Sequence, residues 1–109
     1  RLGHGVRVIE DETLLREIVK RGIILEVCPT SNILAGIYPT YKEHPLRRLK
    51  DAGVRVCLNS DDPGLFGNSL GMEYQIARDH FGFSDAELLE TTRVSIEGSY
   101  ADKVLKDKM

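Results

Sequence analysis

The sequence predicts an α/β fold whose strands lie in a parallel sheet, and three observations carry the prediction. Ile23-Ile24-Leu25-Glu26-Val27-Cys28 and Val54-Arg55-Val56-Cys57-Leu58 are short apolar runs rich in β-branched residues, as expected of strands covered on both faces. Each follows a segment with apolar residues at helical spacing: Leu14, Leu15, Ile18 and Val19 before Gly22, then Leu46, Leu49 and Ala52 before Gly53. The helix-to-strand joints, Arg21-Gly22 and Ala52-Gly53, are tight, whereas the segments after the strands are long and collect the His, Asn, Ser and Asp residues. In a parallel sheet those segments share one end, the end where ligands bind. A (β/α) barrel has this asymmetry, and so does an open flavodoxin-like sheet.

Taken in order, Leu2 to Val8 reads as a first strand carrying Gly3-His4-Gly5. Asp11 suits the N-cap of the first helix. Pro29 ends the second strand, and residues 30–43 read as a loop. Pro45 is placed as the first residue of the next helix, where its missing N–H costs nothing. After the turn Asp61-Asp62-Pro63 and the segment Gly64 to Asn68, a helix is predicted over 70–81, ended by Gly82. Ser84-Asp85-Ala86-Glu87 is a capping box that opens a final helix running into Ser95 or beyond. The charged tail 101–109 is expected to fray.

Composition bounds the function. The chain has 109 residues and reads as one small domain, 1–109, with 41% apolar and 29% charged residues. Its net charge is −2 and the two signs are interspersed, so neither a nucleic acid nor a membrane is expected as a partner. No apolar segment approaches the ~20 residues needed to span a bilayer. Arg1-Leu2-Gly3-His4 has no signal-peptide core and reads as a cut into the middle of something longer. Cys28 and Cys57 lack the spacing of a zinc knuckle or redox motif. They are expected to be small buried hydrophobes in a reducing, cytoplasmic compartment.

Asn59-Ser60-Asp61-Asp62-Pro63 is the most informative segment. It presents two adjacent carboxylates at a strand's C-terminal end, one able to ligate a metal and its neighbour able to bond a substrate. Asp62 before Pro63 equally suits a plain helix N-cap. His4, between two glycines, is either a ligand-facing group or an exposed turn residue. His44 precedes a helix and His80 sits near a helix C-terminus, where a partial positive charge is favoured; both read as structural. The basic residues Arg47, Arg48, Lys50, Lys103, Lys106 and Lys108 read as solvated faces, and Tyr38, Tyr41 and Tyr74 as half-buried packing.

Three segments, Arg1-Leu2-Gly3-His4-Gly5, Glu26-Val27-Cys28-Pro29-Thr30-Ser31-Asn32 and Asn59-Ser60-Asp61-Asp62-Pro63, resemble in order and spacing the adenosine deaminase family of adenosine, adenine and AMP deaminases. His44-Pro45-Leu46-Arg47-Arg48-Leu49 and Glu73-Tyr74 add to the resemblance, which extends to about the last helix. The resemblance implies the C-terminal part of a (β/α)8 TIM barrel of the metal-dependent hydrolase type, from strand six through strand eight. A whole barrel needs about 250 residues. It implies Zn2+ as cofactor and a small-molecule purine nucleoside as substrate, adenosine becoming inosine and ammonia. His4 resembles the histidine that orients the attacking water, Asp61 the aspartate that ligates zinc and contacts that water, and Asp62 the aspartate that hydrogen-bonds N7 of the purine.

Asn59 and Ser60 are expected to support the turn, and Ser31 and Asn32 to satisfy loop backbone and pocket walls. The family's His-x-His, its further zinc histidine and its proton-shuttling glutamate have no counterpart in this chain. A fragment of this extent is therefore expected to be inactive alone and to self-associate through open strand edges. Adenine or another 6-aminopurine, a non-catalytic barrel fragment, and a flavodoxin-like signalling domain stand as alternatives. The zinc deaminases with a Pro-Cys-x-x-Cys motif do not.

Overall fold

A computed structural model describes residues 1–109, and its centre is a parallel sheet in the order β1 (Leu2–Gly3), β2 (Ile24–Val27) and β3 (Arg55–Leu58). Seven helices surround it: α1 (Glu12–Arg21), α2 (Pro29–Leu34), α3 (Leu46–Asp51), α4 (Pro63–Phe66), α5 (Leu70–Phe81), α6 (Asp85–Glu97) and α7 (Lys103–Lys108). The register aligns Leu2 with Leu25 and Leu25 with Val56, then Gly3 with Glu26 and Glu26 with Cys57. Alternation along the strands therefore gives the sheet two faces. Leu25, Val27, Val56 and Leu58 face the main core with Ile18 of α1, Leu46 and Leu49 of α3, and Ala77 and Phe81 of α5. Ile24 and Cys57 face the other way and meet Val94 of α6.

The helix boundaries follow their capping residues. Asp11 accepts the Leu14 N–H at 3.0 Å to start α1, and Gly22, at φ 63°, ends it in the left-handed conformation that an L side chain resists. Ser69 caps α5 at 3.2 Å. In the capping box of α6 the Ser84 hydroxyl accepts the Glu87 N–H at 3.2 Å, and Glu87 Oε1 accepts the Ser84 N–H at 3.1 Å. Each such cap stabilises its helix by about 1 kcal/mol.

Three elements and one side chain differ from the sequence expectation. The first strand is only Leu2–Gly3; Val6–Glu10 is a 3-10 turn, so Val6 joins the core from a turn rather than a strand. Residues 30–34, expected as the start of a loop over 30–43, form α2 with Pro29 despite weak helix propensity at Thr30, Ser31 and Asn32, because tertiary hydrogen bonds hold them. The tail is helical over Lys103–Lys108, capped by Asp102. Arg47 is not on a solvated face: its guanidinium forks onto Glu87 at 2.6 and 3.1 Å, reaches Asp51 at 2.9 Å and stacks over the Phe83 ring. That hydrogen bond, with the Ser84 N–H, holds the Glu87 carboxyl down at about 2. Arg47 thus ties α3 to α6.

His44 is structural, as expected, but in a buried position with 3% exposure. Its Nδ1 accepts the Leu46 N–H at 3.1 Å, which leaves Nε2 to donate to Asn32 Oδ1 at 2.8 Å. The Tyr38 and Phe81 rings pack against it. Burial, with the nearby Arg48 charge, lowers its pKa from 6.5 to about 4.

At the N-terminal end of the strands, α6 finishes directly against the sheet. A Cβ on Gly98 would lie 2.6 Å from Ile24 Cδ1, so a larger residue there would force the Ile24 side chain to shift. Arg1 donates to the Gly98 carbonyl at 2.8 Å and pairs with Glu26 on the same face as Ile24.

Two measurements follow from this packing. Leu49 is fully buried, and Leu49→Ala should cost about 2–5 kcal/mol, read as a lower urea midpoint at unchanged slope. Because His44 is held neutral, its contribution is complete above pH 6.5 and is lost as pH falls from 6.5 through about 4. The unfolded chain binds a proton in that window and the folded chain does not. The urea midpoint should fall across that window by an amount worth roughly 3 kcal/mol, and His44→Asn should flatten the slope. Parallel pH profiles for the two proteins would contradict the assignment.

Candidate functional site

The ladder continues past the strand ends, with the His4 N–H donating to Glu26 O and the Asn59 N–H to Val27 O, both at 2.9 Å. The chain then turns sharply. His4 (φ 59°) and Asp61 (φ 58°) are the only non-glycine residues with positive φ. His and Asp tolerate that region better than most residues, yet each such conformation costs about 1–3 kcal/mol. Gly5, at φ 73°, completes the first turn, and a Cβ there would press on Leu25 Cδ2 at 3.0 Å. Gly5 therefore serves a turn while Gly3 stays in the strand, and the turn presents the imidazole.

These turns bring together two of the three residues singled out from the sequence. His4 Nε2 lies 3.7 Å from Asp61 Oδ2, and the Ser31 hydroxyl donates to the same oxygen at 2.7 Å. Cys28 joins them: one donor atom from each of His4, Cys28 and Asp61 falls within 4.8 Å of the others. Burial, then the charge of Asp61, pushes the Cys28 thiol up to about 12, and the thiol donates to Glu26 O at 3.6 Å. Asp61 Oδ1 accepts no hydrogen bond from the protein. An imidazole nitrogen beside a half-exposed carboxylate with a free oxygen is a donor set that suits a zinc ion.

His4 and Asp61 stand between two cavities. A polar recess of about 250 Å³ is walled by Glu26, Cys28, Asn59 and Ser60. A larger cavity of about 860 Å³ is walled mainly by apolar side chains such as Leu14, Ile18 and Leu25, with Ser31 and Asn32 at its polar end. Asp62 borders neither. It occupies the N-cap position of α4, but its side chain makes no capping hydrogen bond; its carbonyl starts the helix by accepting the Leu65 and Phe66 N–H groups. The capping role that its sequence context suggests is not the one its carboxylate performs. The exposed carboxylate remains available to a ligand.

Ser31 and Asn32 wall a cavity as expected, but their side chains serve other side chains rather than loop backbone. Ser31 holds Asp61, and Asn32 accepts from His44. Sequence reasoning gave Glu73 no role, and it is fully buried. Its Oε2 accepts the Thr30 N–H at 3.2 Å, and its Oε1 accepts from Asn68 at 2.6 Å. The signal was present: Glu73, Ala77 and Phe81 share one stripe of α5, so a carboxylate sits where the helix faces the core.

The sequence model of the family described as adenosine deaminase matches residues 1–109. The adenine deaminase of Agrobacterium fabrum is 50% identical over 109 residues, the whole of this chain and 34% of that protein. Among solved structures, the adenine deaminase from Arthrobacter aurescens superimposes with a TM-score of 0.94 at 31% identity, over 99% of this chain and 33% of that one. An amidohydrolase from Burkholderia ambifaria with bound Zn superimposes with a TM-score of 0.87 at 29% identity, over 99% and 30%. The chain thus spans about a third of the length of the relatives it matches. It belongs to the adenosine deaminase family, and its three-stranded sheet with the surrounding helices is part of a (β/α)8 barrel.

Proposed function

We propose that this chain is part of a zinc-dependent enzyme that hydrolytically removes the 6-amino group of a purine. The observation that supports it most is the pair of left-handed turns that set His4 against Asp61 at the strand ends, in a chain whose relatives include a zinc-bound amidohydrolase. The sequence resemblance points to adenosine. The half-identical relative is named for adenine, so we take the free base as the substrate and adenosine as the second reading.

In this reading Asp61 would hold the metal, with the Ser31 hydroxyl donating to its Oδ2. Bound zinc would supply Lewis acidity, lowering the pKa of a water to about 7. His4 would orient the attacking water towards the ring. A C6–O bond forms, the C6–N bond breaks, and ammonia leaves. Asp62 bonds the ring at N7. In a nucleoside N7 only accepts, so the contact requires a proton on Asp62; the free base can also present N7–H to the carboxylate. The other zinc ligands and the proton-shuttling glutamate, which the resemblance assigns to preceding strands, come from the rest of the enzyme.

The test is zinc content and the change in ultraviolet absorbance with adenine and with adenosine, on the full-length protein. Zinc with faster turnover of adenine supports the proposal, and faster turnover of adenosine moves it to the nucleoside. Zinc without either activity points to another aminopurine. A metal-free, inactive protein would support a non-catalytic barrel. In the active enzyme Asp61→Ala should abolish zinc retention. Asp62→Ala should keep the zinc and lower kcat/KM by roughly 10–100-fold, the worth of a hydrogen bond to a charged group; unchanged kinetics would remove Asp62 from the substrate.

A further inference from the structure

We propose that Glu73 is a positioning residue for Asp61, one buried carboxylate that clamps both segments, α2 and the turn 59–68, from which the aspartate is held; the inference rests on the reading of Asp61 as a metal ligand. The first arm runs through Asn68. Its Nδ2 donates to Glu73 Oε1 at 2.6 Å and also to the Ser60 carbonyl at 3.0 Å, the peptide immediately before Asp61. The second arm runs from Glu73 Oε2 to the Thr30 N–H at 3.2 Å. Thr30 precedes Ser31, whose hydroxyl donates to Asp61 Oδ2 at 2.7 Å. One side chain therefore sets the backbone that carries Asp61 and the hydroxyl that orients it.

Four further facts bear on this role. Glu73 is fully buried and α5 supplies it from the core, so the clamp stands on a long helix outside both segments it holds. A buried carboxylate is costly unless bonded, and both of its oxygens accept. The Asn68 amide pays for the arrangement: with Nδ2 shared between two acceptors, its buried Oδ1 is left without a partner. Asp61 sits in a conformation that its own backbone disfavours, so a restraint on each side is what holds it there.

The experiment uses Glu73→Gln in the full-length protein, where size is kept but an amide N–H2 must face one of the two donors. Two readouts are taken. Hydrogen exchange in the metal-free protein should rise in both 28–34 and 59–68, with α5 and β2 unchanged. Zinc affinity, by chelator competition well below the unfolding temperature, should fall about 10–100-fold, with kcat falling alongside. A purely structural Glu73 would lower the melting temperature and leave exchange in both segments and zinc affinity as in the wild type, which would overturn the proposal. Should Glu73→Gln not fold, Asn68→Ala cuts the first arm alone and should loosen 59–68 but not 28–34; unchanged exchange there would overturn the proposal equally. A wild-type protein that binds no zinc would refute the reading of Asp61, while the exchange result would still decide whether Glu73 clamps both segments.

Discussion

Parallel pairing of β2 with a strand on each side is the constraint on which everything else depends. Register fixes Gly3, Glu26 and Cys57 in one row, so the residues that follow them emerge at one end of the sheet. His4 and Asp61, 57 positions apart in sequence, become neighbours through that row and not through any affinity for each other. Their separation of 3.7 Å between half-exposed groups contributes little stability. The apolar face beneath, Leu25, Val27, Val56 and Leu58 against α1, α3 and α5, supplies the rigidity.

On that platform the site is built from unfavourable local choices. Two side-chain-bearing residues take left-handed backbone conformations, and an asparagine gives up a hydrogen bond. Each is held by something independently stable: the continued ladder at His4, the Ser31 hydroxyl at Asp61, and a buried carboxylate behind the Asp61 loop. Strain of this kind persists only when surrounding structure over-determines it.

The second and third strands, the long helices and two of their caps were legible because each rests on local chemistry: β-branched runs, apolar stripes, Asp11, and the Ser84–Glu87 box. His4 and Asp61 were legible as strand-end polar residues. What failed was tertiary. Val6 and Val8 have strand propensity, but the turn at His4-Gly5 leaves the sheet before they can join it. Thr30-Ser31-Asn32 is poor helix sequence, and only Glu73, Asp61 and His44, none of them adjacent in sequence, make it α2. Arg47 looks like any surface arginine until Glu87 is folded beside it.

The floor formed where α6 meets β2 has a consequence for traffic. With Gly98 packed on Ile24 and the Arg1 guanidinium spread between Gly98 and Glu26, this part of the sheet is sealed at the end opposite His4 and Asp61. Within this part of the barrel, approach to those residues along the strands from that end is obstructed. The open side lies at the other end, where the larger cavity, walled in part by Ile37 and Phe66, reaches His4 and Asp61.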